Sequence, residues 1–167
     1  MKQDSQIIRE NGTVILDVND NISFHTIYGA INAVVGTEYK GWMKACWPSS
    51  EGADNTNFRI WFPKLAERKG GVLVPASNDC LNILSEDWNE IVYDDLKQID
   101  NADTPQYTGY DLIFAKEPSD GDYIFRGVFR FDAEQSHRYH HIEKRIATKV
   151  KLIGFPAHTA ELMNIKS

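Results

Sequence analysis

"DYIFRGVFRFDAEQSHRYHHIEKRIATKVKLI", residues 122–153, decides how the chain is read. In its first part, "YIFRGVFRF", Tyr123, Phe125, Phe129 and Phe131 alternate with Ile124, Arg126, Val128 and Arg130, the two-residue period of a long strand. Its last part, "IEKRIATKVKLI", sets Ile142, Ile146, Val150 and Leu152 against Glu143, Arg145, Lys149 and Lys151, with Lys144 out of step as at a bulge. The loop "AEQSHRYHH" joins them. Paired as a hairpin, the two strands would line one sheet face with Arg126, Arg130, Arg145, Lys149 and Lys151.

Working outward, "EPSDGD" is turn chemistry and "YDLIFA" (110–115) is apolar enough for a central strand. "NADTPQYTG" before it reads as a linker loop. "SEDWNEIVYDDLKQI" (85–99) is predicted as a helix. Ser85 would cap it, Glu86 and Asp87 would favour its positive end, and Trp88, Ile91, Val92, Leu96 and Ile99 would form its buried stripe. "FRIWFP" (58–63) is a strand with Phe58, Ile60 and Phe62 on one face and Arg59 and Trp61 on the other. After the "ERKGG" turn, "VLVP" is another strand. "TVILDV" (13–18) is a strand, and Ser23 can open a helix carrying Phe24, Ile27, Ile31, Val34 and Val35 and ending near Gly36. "GWMKACWP" (41–48) reads either way, and "SSEGADNTN" is a loop. The expected fold is one α+β domain over 1–167, with a mostly antiparallel sheet, curled or closed into a small barrel, and two main helices.

The 167 residues suffice for a proper core, and no apolar run approaches the roughly 20 residues that cross a bilayer. The first residues, "MKQDSQIIRENG", are polar and do not read as a signal peptide. Cys46 and Cys80 are expected as reduced thiols of a cytoplasmic protein. The net charge of −6 argues against an evenly basic nucleic-acid binder, but the charge is segregated. Asp79, Glu86, Asp87, Glu90, Asp94, Asp95, Asp100 and Asp103 cluster against Lys97 alone, whereas 123–151 holds seven bases against Asp132, Glu134 and Glu143. Two electrostatic sides are expected, with the acids on the wet face of the second helix.

His137, His140 and His141 lie near Glu143, yet no second ligand pair accompanies them, so they read as loop histidines and not as a zinc site. Asp111 with Lys116 is too little for a metal-dependent nuclease, and no nucleophile elbow, P-loop or dinucleotide fingerprint is present. No cofactor or metal is implied, and the reading leans away from an enzyme. Nucleic-acid recognition fits better, because cations hold phosphates while aromatic faces stack on bases. Arg126, Arg130, Arg138, Arg145, Lys149 and Lys151 are the phosphate candidates. Trp42, Trp47, Trp61 and Tyr110 are the candidates for a base-stacking pocket, with Tyr107 also near a loop. Arg138 and the histidines would sit at its mouth, adding charge below about pH 6.5.

The run "YDLIFAKEPSDGDYIFRGVFRFD…HHIEKRIATKVKLI" resembles the C-terminal strands of PUA-like and SRA-like domains of bacterial modification-dependent restriction proteins. "LNILSEDWNEI" resembles the strand-to-helix segment that precedes those strands, so the likeness spans about 80–153. It implies a compact barrel that reads modified bases by flipping them into an aromatic cage, while a separate nuclease domain or subunit cuts. By that likeness Trp42, Trp47, Trp61 and Tyr110 are cage candidates, and the partner is DNA before RNA, in a restriction or defence setting. The other reading is an acidic protein-interaction module, or an inhibitor that mimics DNA, built on the helix after Ser85.

Overall fold

The computed structural model describes residues 3–48, 56–77, 79–97, 109–118 and 121–165. In chain order the elements are β1 (Thr13–Asp17), a 3-10 turn (Val18–Asp20), β2 (Ser23–Phe24), α1 (Ile27–Val35), β3 (Cys46–Trp47) and β4 (Phe58–Trp61). There follow β5 (Glu67–Lys69), β6 (Val72–Val74), β7 (Cys80–Leu84), β8 (Glu90–Asp95), β9 (Tyr110–Lys116), β10 (Tyr123–Phe131), β11 (His140–Gly154) and β12 (Ala157–Ile165).

The opening stretch does fold into two paired strands, and β11 is the spine of the sheet. Ala147 is paired to Val128 of β10 on one edge and to Ile165 of β12 on the other. The N-terminal half of β11 also takes β8, and its C-terminal half takes β1. The main sheet runs β3–β4–β9–β10–β11–β8–β7, antiparallel except for β4 beside β9, and no pairing among the described residues joins its ends. It is therefore an open sheet, and the expected small barrel is not formed. β5 and β6 make a separate hairpin, where the sequence reading had a turn before "VLVP".

Both faces of the sheet are covered, and β9 shows why its sequence is nearly all apolar. Leu112 and Phe114 enter one core, and Ile113 and Ala115 enter another on the opposite face. The first core receives α1, whose Ala30, Ile31, Val34 and Val35 are buried. Each such Ile or Val contributes about 1.5–3 kcal/mol by leaving water. Thr26, not Ser23, caps this helix, its hydroxyl accepting from the Gly29 N–H at 3.0 Å, and the helix ends at Gly36 with φ +93°.

The predicted second helix is absent: "SEDWN" is a turn and "EIVYDD" is β8. The polar residues that look like a helix cap tie the turn instead. Ser85 Oγ donates to Asp87 at 2.6 Å, Asp87 accepts from the Asn89 N–H at 3.0 Å, and Ser85 Oγ accepts from the Glu90 N–H at 3.1 Å. Trp88 takes φ +62°, strained for a bulky residue, with the Arg126 guanidinium 4.1 Å from its ring centroid. Residues 98 and 99 of the expected helix lie outside the described residues. The acidic face of an interaction module goes with the helix. β8 pairs instead with β11, where Glu90 meets Lys144 and Asp94 meets His140, so the acidic stretch lies beside the basic one on adjacent strands.

β10 also departs from simple alternation. Arg126 is an extra residue opposite β9, and Gly127 at φ +119° has Arg145 Cδ 2.7 Å from where a Cβ would stand. The bulge turns Val128 into the first core and Phe129 into the second, against the expectation that Phe129 shares a face with Phe125. A second irregularity falls at Ile146 of β11, not at Lys144. β12, which the sequence reading did not anticipate, extends the sheet beyond "KLI".

Candidate functional site

Where β4 and β9 end, Trp61, Pro63, Lys64 and Lys116 open onto a cleft of about 650 Å³. β7 contributes Cys80 and Asn82, β8 contributes Tyr93, the start of α1 contributes Ile27 and Tyr28, and the segment before β3 contributes Trp42 and Met43. Strand alternation aims Trp61 here, away from Phe58, Ile60 and Phe62, which enter the first core. Although three strands separate β4 from β8, the Trp61 and Tyr93 rings meet edge-on with centroids 6.2 Å apart. His141 stacks behind Tyr93 at 5.7 Å and touches Phe131 at 5.6 Å, which fixes the tyrosine ring. Burial raises the Tyr93 phenol above its ordinary value, followed by the nearby Cys80, Asp95 and Asp79, so it remains a neutral donor.

The described lining holds Lys64, Lys116 and His25 and no carboxylate. Lys116 Nζ lies 5.3 Å from the Tyr123 ring centroid. Asn82, 5% exposed, donates from Nδ2 to the Lys64 carbonyl at 3.2 Å and to Cys80 Sγ at 3.7 Å. That network assigns the amide orientation and leaves Oδ1, a buried acceptor, without a partner. A wall of aromatic faces with lysines suits a planar ligand that bears an anion.

Behind Trp61 the same sheet face carries a buried polar network. Arg59 grips Asp111 with two hydrogen bonds of 2.9 and 3.0 Å, and Asp111 is 1% exposed. Glu143 reaches Asp111 across β10 and hydrogen-bonds to it. Burial, then the Asp111 charge, holds Glu143 well above the ordinary carboxyl range, with Arg59 opposing. Glu143 is therefore held protonated above the pH at which a free carboxyl ionises, and in that form its hydroxyl can donate a hydrogen bond to Asp111. Burial pushes the neighbouring Cys46 thiol up to about 11.

This arrangement predicts a pH effect with a definite sign. Unfolded Glu143 loses its proton near its ordinary value of 4.5, while the folded protein retains it. Above that pH the native state binds the extra proton, so this group's contribution to stability falls as pH rises, by at most about 1.4 kcal/mol per unit, until the folded value is reached. Glu143→Gln mimics the protonated acid and removes the decline. In chemical denaturation at pH 5 and pH 8, the variant should gain on the wild type at the higher pH. A difference that does not change with pH would contradict a protonated Glu143.

The residues singled out from sequence are distributed as follows. Trp42 and Trp61 do line one cleft. Trp47 lies in a neighbouring hollow, half-buried against Phe58, and Tyr110 packs on the first core beneath Arg130, in neither hollow. The cations do not form one face. Arg126 pairs with Glu117 at 2.7 Å, and Arg145 donates to the Arg126 carbonyl at 3.1 Å. Arg130 stands opposite Lys144 on β10 and is exposed, as is Arg138 in the turn between His137 and His140. Lys149 and Lys151 are at the far end of β11, opposite Asp17 on one side and Glu161 on the other respectively. The bulges at Arg126 and Ile146 explain the split. The three histidines do not line the cleft. His137 and His140 stack at 5.0 Å, and burial lowers the His141 pKa below its ordinary value, so it takes up its proton at a lower pH than expected.

Sequence reasoning missed Tyr93, Asn82 and Lys64. Tyr93 was hidden by its place in the presumed helix, although the run Ile91–Val92–Tyr93 of β-branched and aromatic residues favours a strand. Asn82 and Lys64 carry no local signal, because strand pairing alone brings them together.

The chain is thus a mostly β module with one helix and a cation-bearing aromatic cleft at one end of an open sheet. The chain belongs to the SRA family, the SET and RING associated domain, a modified-cytosine reader fold that binds DNA, whose family model matches residues 12–152. Among solved structures, the 5-hydroxymethylcytosine-specific restriction enzyme AbaSI is similar, with a TM-score of 0.59 and 21% sequence identity. The match covers 84% of this chain and 43% of that one, so the chain corresponds to less than half of AbaSI, and at this identity the likeness is one of fold. No curated protein matches the chain. Among the described residues no helix is long and apolar enough to cross a membrane.

Proposed function

We propose that the chain is a non-catalytic DNA-binding module that reads modified cytosine by turning the base out of the duplex into the cleft of Trp42, Trp61 and Tyr93. The cleft carries the reading. In a chain of net charge −6, its described lining combines aromatic walls, Trp42, Trp61 and Tyr93 among them, and two lysines with no carboxylate. A base inside a duplex hides its faces, so a protein that grips it by stacking must extrude it. The wall of Trp61 and Tyr93 is held rigid by the β8–β11 pairing and the buried network behind it, which reduces the ordering cost of binding.

Lys64 and Lys116 are assigned to the phosphates flanking the extruded base, with the exposed Arg130 and Arg138 as further phosphate contacts. Cutting belongs to a nuclease domain or partner, in a restriction or defence setting. The thiols of Cys46 and Cys80 fit a reducing, cytoplasmic compartment. Charge reversal tests the backbone assignment. In Lys64→Glu/Lys116→Glu, the slope of log affinity against log salt should become shallower by about 2, with plain and modified duplexes weakened alike. An unchanged slope would remove both lysines from the interface.

A further inference from the structure

A second hollow, of about 670 Å³, lies on the other side of Trp42 and shares Trp42 and Met43 with the cleft. Its remaining aromatic walls are Trp47 and Tyr39, and Lys44 and His158 are its basic side chains, again with no carboxylate in the described lining. Two of the walls are fixed before any ligand arrives. The Trp47 ring packs on Phe58 with centroids 6.0 Å apart, and its Nε1–H donates to the Tyr39 hydroxyl at 3.2 Å. The Tyr39 backbone is clasped by Asn32 of α1, which donates to its carbonyl and accepts from its N–H, both at 2.8 Å. Trp42, by contrast, is 86% exposed. An indole this exposed, lining both hollows, is open to a ring entering either one.

The occupant can be argued from chemistry. Rings fixed in place stack on any nucleobase, and a lysine without acidic neighbours in the lining favours a phosphate over a cationic partner. Continuity through Trp42 makes the natural ligand a neighbour of whatever enters the first cleft. We propose that the second hollow is a stacking subsite for the nucleobase adjacent to the extruded cytosine. Two successive unpaired nucleotides would then flank Trp42, with Lys44 countering the phosphate between them. This rests on the modified-base reading for the identity of the strand, but it adds a requirement which that reading lacks: the neighbouring base must also leave the stack.

Single-stranded oligonucleotides separate the two, because nothing has to be unpaired. The probes carry one 5-hydroxymethylcytosine and either an ordinary nucleotide or an abasic tetrahydrofuran residue on its 5′ or 3′ side. For the wild type, removing the neighbouring base on one side should weaken binding about 5- to 150-fold, the value of one lost stack. Tyr39→Ala and Lys44→Ala, at exposed positions, should bind the intact probe more weakly. Tyr39→Ala should also erase the difference between intact and abasic probes while melting like the wild type. A wild type that binds both probes equally, or fails to bind them, overturns the subsite. So does a Tyr39→Ala protein that still senses the missing base. A control with plain and modified duplexes tells the readings apart: retained preference leaves the first cleft standing, and lost preference overturns both.

Discussion

Replacing Asp111 with alanine should lower the stability of the protein by about 3 kcal/mol, the low end of the about 3–5 kcal/mol expected when one member of a buried ion pair is removed. The low end applies because the Arg59 side chain keeps 29% of its surface exposed while that of Asp111 keeps 1%. Two partners are orphaned at once. Arg59 loses both of its hydrogen bonds to the carboxylate, and protonated Glu143 loses the acceptor that makes its burial tolerable. The loss should appear as a lower urea midpoint with an unchanged slope. Arg59→Leu/Asp111→Leu should recover much of it, since no lone charge is left. A single variant as stable as the wild type would mean that the network does not brace the sheet behind Trp61.

Trp61→Ala should cost about 1–3 kcal/mol of binding to a modified duplex, about 5- to 150-fold, and most of the preference over plain DNA. Phosphate contacts do not depend on the base, so affinity for plain duplex should hardly change. Trp61 also packs against Tyr93 and the second core, so a general loosening must be separated from a lost stack. Trp61→Phe does this: it keeps an aromatic face and should retain most of the preference, and matched melting curves should accompany it. Equal losses for plain and modified duplexes would make Trp61 a structural residue only.

Much of this site was legible before folding because strand alternation is a local property. Arg59 and Trp61 could be set apart from Phe58, Ile60 and Phe62 by counting in twos, and the structure uses them so, one to hold Asp111 and the other to face the cleft. The apolar run at β9 likewise announced a strand buried on both faces. What failed was either ambiguous or non-local. Ser85 and Asp87 satisfy backbone donors equally well at a helix start or in a tight turn, and Trp88 at positive φ gives no warning in the sequence. The bulges at Arg126 and Ile146 each shift the count by one, which breaks up the uniform basic face that strict alternation predicted. The acids of β8 looked like a free surface because their partners, Lys144 and His140, arrive from about fifty positions downstream.

The account stands or falls on whether the cleft distinguishes cytosines. Fluorescence-anisotropy titrations of the protein with plain, 5-methylcytosine and 5-hydroxymethylcytosine duplexes of one sequence, at two salt concentrations, test it most directly. The account predicts salt-sensitive binding to all three and a tighter complex with at least one modified duplex, the margin persisting at the higher salt because stacking is not screened. Identical affinities for all three duplexes, or no binding at low salt, would contradict it.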